Sequence, residues 1–560
     1  MKKIWTRVVA LAICLAMMLC GGALGEATET QTDEKDVLIL FTNDVHCGIA
    51  EAWGYAGLAA VKESMKKFYD VLLVDCGDHL QGDTVGLVTK GAAVIDVMNT
   101  LGYDCAIPGN HEFDFGMDNF LELTEKANFP YICCNFTKGD ELVFPAWIIK
   151  EAGGKKIGFV GVCTPTTLRS STPELFMDEN GEWLYSFMTD TTGEKMYTAV
   201  QKAVDEARDA GAEYVFVLAH LGNNAADSPF TYSDLIANTT GINAVMDGHS
   251  HDTDRAIVKN KDGEDVLRIS GGTKLQNIGA VALMADGTIQ DDLYHWGSDV
   301  PATTLLGLEN DGADAVAQAY GALSMDIAKV IGKTTVELIV NDPNQTTADG
   351  LPIRVIRRTE TNLGDFCADA YRYTGKTDIA IVHGGGIRWG RNFEPGDITY
   401  NDILTLHPFG DDFVTAEITG QQLLDAAEWS VHAMPNEFGG FEQISGFTYE
   451  VDPTIESPCV ANEDGFFDHI DDSKTRRVRN LQVGGEPVDP AKTYTVSASP
   501  YHLIENGDGY TMYAGCTLLT RDGSLDYEAL INYLQNGLGG VIGEEYAEPY
   551  GQGRIVSVQD

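Results

Sequence analysis

The chain is short of positive charge. Its 560 residues carry 38 Lys and Arg against 84 Asp and Glu, a formal charge of −46. A surface that acidic repels nucleic-acid polymers and anionic membranes, and repels small anions unless local cations gather them. The cysteine patterns of a zinc finger or a redox dithiol are also missing: the 11 cysteines include no CxxC pair. Several (Cys76, Cys133, Cys134, Cys163) lie in or beside apolar runs, which reads as buried free thiols. Beyond residue 25 no apolar run is long enough to cross a bilayer. There is no short internal repeat and no low-complexity tract.

What is present begins with a basic start, Lys2, Lys3 and Arg7, followed by the apolar run Val8 to Leu19 and the small-residue end Ala23-Leu24-Gly25. This order predicts a secretory signal over residues 1–25, cut before Glu26. The run is short for a membrane anchor, which needs about 20 residues. Cleavage removes three basic and no acidic residues, so the formal charge goes from −46 to −49. The protein is expected outside the cytoplasm, secreted or at the cell surface, with no stable span after processing.

A chain this long exceeds one hydrophobic core. Apolar runs at Val37–Phe41, Val71–Val74, Tyr131–Cys134, Ile157–Val162, Tyr214–Leu218 and Ala244–Met246 read as buried strands. Helix-like segments at Gly57–Phe68, Ala93–Leu101 and Thr198–Ala210 alternate with them, which predicts an α/β layered domain over 36–302. Residues 303–330, with the helical stretch Ala313–Met325, read as a linker helix. A second α/β domain is expected over 331–558, with strands at Thr334–Val340, Ile379–Val382, Asp412–Ile418 and Tyr494–Ser497.

Nearly every strand of the first domain runs into a polar tip: Asp44-Val45-His46, Gly77-Asp78, Gly109-Asn110-His111-Glu112, His220, and Gly248-His249-Ser250-His251. Taken singly, each motif is ordinary. Asp-x-His or Gly-Asp is usually a turn, Asn-His a helix cap, and Asp114 a cap for a helix starting near Phe115. Together they hold five of the 12 histidines, and in open α/β sheets strand ends converge on one crevice. The order D-x-H, GD, GNH, H, GHxH resembles the calcineurin-like metallophosphoesterases, whose fold is a four-layer α/β/β/α sandwich. The resemblance implies two divalent cations, with Asp78 as the bridge. Asp44, His46 and His251 would complete one site, and Asn110, His220 and His249 the other. Two such ions clamp a phosphoester and generate hydroxide at neutral pH. Mixed nitrogen and oxygen ligands suit Zn, Mn, Fe or Co better than an oxygen-rich calcium site. The resemblance also implies a His111–Asp114 dyad, with His111 over the phosphate and Asp114 orienting its ring.

In the second domain four runs stand out: Arg357 to Ala370 (RRTETNLGDFCADA), His383-Gly384-Gly385-Gly386-Ile387-Arg388, Leu406-His407-Pro408-Phe409-Gly410, and Glu505 to Tyr510 (ENGDGY). Here the chain resembles the 5′-nucleotidase family, which includes bacterial UDP-sugar hydrolases and animal ecto-5′-nucleotidases, over nearly its whole mature length. The resemblance implies a C-terminal nucleotide-binding domain in which Arg357, Asn362, Gly386, Arg388, Phe409, Tyr501, His502 and Asp508 bind substrate. Arg388 can grip phosphate in a fork. Phe409 can stack on a base, or be plain core. Asp508 can accept from ribose hydroxyls. The chain departs from the family where an aromatic commonly stands six residues before the aspartate: here that position is His502, with Tyr501 beside it, and either could stack. His383 stands where ecto-5′-nucleotidases carry Asn. In relatives the second domain rotates to carry substrate to the metals. The expected activity is hydrolysis of nucleoside 5′-monophosphates. The alternatives are a 2′,3′-cyclic-nucleotide phosphodiesterase/3′-nucleotidase, a UDP-sugar hydrolase, and a surface nucleotide-binding module without catalysis.

Overall fold

The computed structural model describes residues 35–178, 180–297, 309–321, 323, 327–346 and 352–558. The expected signal, 1–25, and residues 303–308 of the expected linker lie outside them. The described residues form two compact units. Those up to Gln81, with Val88–Thr167 and Glu182–Leu323, make the first; Gly82–Leu87, Leu168–Gly181 and those from Ser324 onward make the second.

The first unit runs β1 (Val37–Thr42), α1 (Gly54–Met65), β2 (Asp70–Asp75), α2 (Ala92–Leu101), β3 (Cys105–Ala106), β4 (Trp147–Ala152), β5 (Lys155–Cys163), α3 (Glu194–Asp209), β6 (Tyr214–His220), β7 (Ala244–Asp247), β8 (Thr253–Lys259), β9 (Asp265–Gly271), β10 (Asn277–Leu283), β11 (Ile289–His295) and α4 (Asp311–Gly321). Two sheets result, ordered β11-β10-β1-β2-β3 and β8-β9-β7-β6-β5-β4. In the first, β1, β2 and β3 are parallel and β10 and β11 are added antiparallel on one side; the second has a parallel centre and an antiparallel strand at each edge. Their facing sides share one core, with Ile39 and Phe41 of β1 meeting Phe159, Phe216, Met246 and Ile269. Burying each such side chain contributes about 1.5–3 kcal/mol. The far side of the second sheet is covered by α3 through Met196, Val200, Ala203 and Val204. Helices α1, α2 and α4 pack on one another, and Tyr103 after α2 reaches Thr42 at the end of β1 through its hydroxyl, 2.9 Å away. The order is α/β/β/α. Central strands buried on both faces explain why their sequences are continuous apolar runs rather than alternating ones.

Two expected strands differ. Tyr131–Cys134 is no strand: its N–H groups donate to three separate segments, at Ala106, Pro145 and Gly161. The run predicted at Thr334–Val340 is a strand over Val330–Thr334 instead.

In the second unit, α5 (Asn362–Gly375), β12 (Ile379–His383), α6 (Tyr400–Leu406), β13 (Asp412–Thr419), α7 (Gly420–Ser430), β14 (Glu442–Ser445), β15 (Thr493–Ala498) and β16 (Thr517–Leu525) surround a mixed sheet ordered β14-β12-β15-β13-β16. Thr361 caps α5, and Thr399 with Asp402 forms a capping box on α6. Pro408 follows α6 at once; it disfavours helical backbone at His407 and so stops the helix where Phe409 begins a turn.

Candidate active site

The polar tips of the first unit follow the carboxyl ends of parallel strands. Asp44 and His46 follow β1, Asp78 follows β2, Asn110 follows β3, His220 ends β6, and His249 and His251 follow β7. The side chains gather into two sets. Asp44, His46, Asp78 and His251 offer ligand atoms within 4.8 Å of one another, and so do Asp78, His220 and His249. Asp78 belongs to both sets. Asn110 Oδ1 lies 3.2 Å from His220 Nε2, which places it with the second.

The tautomers suit metal binding. His46 Nδ1 lies 2.9 Å from the Gln81 carbonyl and His220 Nδ1 2.8 Å from that of Cys76. A carbonyl only accepts, so each Nδ1 carries the proton and Nε2 is left as the ligand atom. His46 Nε2 faces His251 Nε2 at 2.9 Å and Asp78 Oδ2 at 3.7 Å; His220 Nε2 faces Asp78 Oδ2 at 3.1 Å.

Without a cation the charges perturb one another. Burial pushes Asp44 up to about 8, and neighbouring Asp78 adds to this, against His220. Burial would also raise Asp78, but His220, His111 and His46 outweigh it and hold that carboxyl well below its ordinary range. Burial disfavours a charged His220, yet Asp78 lifts it to about 10.

Five of the seven residues, Asp44, His46, Asp78, His249 and His251, have φ between +45° and +79°. Non-glycine residues there cost about 1–3 kcal/mol each and persist only where the surroundings over-determine them. Part of that constraint is Glu112. Its buried carboxylate accepts four backbone N–H groups, from Asp78 (2.7 Å), His79 (2.8 Å), Leu80 (3.1 Å) and Gly109 (2.5 Å). It thereby ties the loop of Asp78 to the loop of Asn110. Behind it His79 lies 2.7 Å from both Asp75 and Tyr131; burial opposes its charge, but Glu112 and Asp75 lift it to about 9. Asp44 is held in turn by the His249 N–H at 3.0 Å and the Asn43 amide at 2.7 Å.

His111 Nδ1 lies 2.5 Å from Asp114 Oδ2, and the His111 N–H donates to Asp78 Oδ1 at 2.8 Å. The capping alternatives are not what the residues do here. The helix after Asp114 starts at Met117 with Gly116 as its cap, and Asn110 makes no side-chain cap bond.

In the second unit, the three glycines turn the chain at the end of β12. A Cβ on Gly384 would collide with the Ile356 carbonyl, so only glycine lets this turn lie against Arg357. Arg388 follows, its guanidinium 5.7 Å from the Phe409 ring centre. Phe409 is half-buried and lines a small cavity with His383, Gly386 and Ser499. Arg357 Nε is buried without a partner among the described residues. Burial, Arg354 and Arg388 push its pKa down, and Glu437 and Asp508 oppose them less strongly. Tyr501 is partly exposed, packs on Gly507, and its hydroxyl accepts the Asp508 N–H at 3.1 Å. Burial raises Asp508, against His502 and Arg357.

Two expectations for substrate contact change. Asn362 spends its amide on backbone, accepting from Ile339 and donating to Glu337 and Tyr546, so it fastens the start of α5. His502 is 1 % exposed, bonded to Glu442 at 2.9 Å and pressed on Tyr510. It is part of the core, which leaves Tyr501 as the accessible ring of the pair. Sequence reasoning also passed over Phe438-Gly439-Gly440. The Phe438 N–H donates to the Arg357 carbonyl and Gly440 packs on Asp508; a paired glycine after an aromatic was the available signal.

Residues 37–253 match the calcineurin-like phosphoesterase family, and residues 330–515 match the 5′-nucleotidase C-terminal domain. The chain carries a calcineurin-like phosphoesterase domain followed by a 5′-nucleotidase C-terminal domain. Its domain pair is that of metal-dependent phosphoester hydrolases. It is 26% identical to the endonuclease YhcR of Bacillus subtilis over 90% of the chain, and spans only 38% of the length of that relative. It is 26% identical to a 5′-nucleotidase of Diplobatis ommata, covering 98% of this chain and 93% of that one. The crystal structure of a 5′-nucleotidase precursor from Thermus thermophilus superposes with a TM-score of 0.74 at 24% identity, over 94% of this chain and 100% of the other. No helix among the described residues is long and apolar enough to cross a membrane. All nine cysteines among the described residues are free, and seven are buried.

Proposed function

We propose that the chain is an exported two-metal phosphohydrolase that converts nucleoside 5′-monophosphates to nucleoside and phosphate. The observation that carries this reading is the division of the candidate ligands into two sets that share Asp78. The donors fit the implied ions: imidazole Nε2 atoms with their Nδ1 partners occupied, buried carboxylates and one amide oxygen, a set suited to Zn, Mn, Fe or Co. Asp44, His46 and His251 would hold one ion and Asn110, His220 and His249 the other, with Asp78 common to both sets. Bound there, such ions would supply charge neutralisation at the phosphoryl group and acidify water.

The chain's own residues do the rest. Asp114 holds the His111 ring through Nδ1, so that Nε2 is the ring atom left for a phosphoryl or leaving oxygen. Hydrolysis breaks the ester P–O bond, joins a water oxygen to phosphorus and leaves a proton on the nucleoside oxygen, which His111 is placed to manage. Arg357 and Arg388 supply the positive charge that the acidic chain lacks elsewhere. Phe409 and Tyr501 offer rings to the base, and Asp508 accepts from ribose hydroxyls.

The test is a panel of 5′-AMP, 3′-AMP, 2′,3′-cyclic AMP, UDP-glucose and an aryl phosphate, with Mn²⁺, Zn²⁺ or Co²⁺ added to chelator-stripped protein. The expected result is the highest kcat/KM on 5′-AMP. Equal rates on aryl phosphate and 5′-AMP would remove the role given to the second unit. A preference for cyclic nucleotide, 3′-nucleotide or UDP-sugar would change the substrate and keep the site. No phosphate release with any ion would favour a surface nucleotide-binding module.

A further inference from the structure

The reading above leaves several buried charges unused, and one of them lies behind the candidate ligands. Arg268, on β9, is completely buried. It pairs in register with Val245 of β7, the strand that runs into the His249–His251 loop. Its planar guanidinium is forked between two carboxylates. Nε and Nη2 donate to Asp247 Oδ2 at 3.1 and 2.9 Å, while Nη1 and Nη2 donate to Asp252 Oδ2 and Oδ1 at 2.5 and 3.0 Å. The Tyr232 ring lies over it, 4.4 Å from Cζ to the ring centre.

Each carboxylate passes the constraint on. Asp247 Oδ1 accepts the N–H groups of Leu221 and Gly222, at 3.0 and 3.3 Å, directly after His220. Asp252 Oδ1 accepts the hydroxyl of Ser250, which stands between His249 and His251. One guanidinium is thus hydrogen-bonded, through one residue on each side, to both loops that carry His220, His249 and His251. The last two sit at φ of +79° and +56°, conformations that need an external hold.

We infer that Arg268 is a positioning residue for the metal centre, a buried cation that fixes the His220 loop and the His249–His251 loop relative to each other. This rests on the metal-centre reading. A planar fork is required, because a lysine ammonium is a point charge that cannot satisfy two carboxylates in one plane. A purely structural ion pair would stabilise the fold without altering the geometry of the ligands. The two roles are separated by metal affinity and apo stability.

The experiment titrates Mn²⁺ into chelator-stripped full-length wild type, Arg268→Lys and Asp252→Asn by calorimetry, with thermal unfolding in chelator as a second readout. Wild type binds two ions. Arg268→Lys is expected to weaken ion binding by about 10–100-fold, as is usual for residues that orient metal ligands. Its activity returns at raised Mn²⁺, and its melting in chelator falls as well, because lysine leaves hydrogen bonds of the buried carboxylates unmade. Asp252→Asn shifts affinity in the same direction by less. Wild-type affinity in both variants overturns the inference, as does a loss of apo stability with metal affinity unchanged. Should Arg268→Lys fail to fold, Asp252→Asn and Ser250→Ala decide, since each leaves the buried cation in place. Wild type that binds no Mn²⁺ defeats the metal-centre reading itself, which distinguishes that failure from this one.

Discussion

In the first unit, five of seven candidate ligands sit at positive φ, and buried carboxylates tie their loops together. In the second, of Arg357, Arg388, Phe409, Tyr501 and Asp508 only Asp508 has a positive φ, and all five side chains are partly exposed. The first arrangement is preorganised, as chemistry on a resistant ester requires. The second is held by a glycine turn and a helix end, and its rings and guanidinium groups keep part of their surface exposed. On the proposed function, the contrast assigns catalysis to the first unit and selectivity to the second.

The strongest way to break that contrast is Asp78→Asn. It removes the ligand common to both sets, and is expected to lower metal retention and phosphate release together, by roughly 100-fold or more. Elemental analysis beside activity checks it, and retention of both ions would refute the shared role. Next is His111→Ala, expected to cost about 10²–10⁴-fold in kcat with both ions retained. The loss should be smaller on an aryl phosphate, whose leaving group needs less help from a proton. Phe409→Ala is expected to weaken nucleotide binding by about 1–3 kcal/mol, the usual worth of base stacking. That appears as a higher KM for 5′-AMP and an unchanged rate on aryl phosphate. An equal effect on both substrates would erase the division of labour.

The smallest expected effect concerns protons. In chelator, His220 is held up to about 10, with Asp78 overcoming burial, and Asp44 is held up to about 8 by burial. Both therefore carry protons at neutral pH that a cation must displace, so Mn²⁺ affinity should rise from pH 6 to pH 8. Calorimetry in buffers of different ionisation heat would count the protons. The sign for apo stability is opposite for His220. Its pKa is raised, so its contribution is complete below the ordinary value of 6.5 and is lost as pH rises through about 10. A metal affinity that does not change with pH would contradict these assignments.

The candidate metal residues were legible because four of them are histidines, a scarce type here, and all lie at or after the end of a buried strand, where the strand ends of parallel sheets converge. Their supports were not. Glu112 lies inside a motif that drew attention to its neighbours, yet nothing local says that its carboxylate gathers four N–H groups from two loops. Arg268 lies in no motif at all. Its partners are 16 and 21 residues away, and only the parallel pairing of β7 with β9 brings them together. Asn362 and His502 show the same limit. Both are polar and sit in runs that resemble a substrate site, but polarity does not tell whether a side chain faces a cleft or a backbone.

By itself, then, the order of residues along this chain determined the α/β character, since apolar runs of strand length must be buried. Together with the family resemblance it also pointed to ion-binding chemistry and to Asp78 as the shared ligand. The tertiary structure alone decided which loops a buried charge locks and which ring near Asp508 stays accessible. Those are matters of distance between segments far apart in sequence, and only the packing of two sheets and the register of their strands sets such distances.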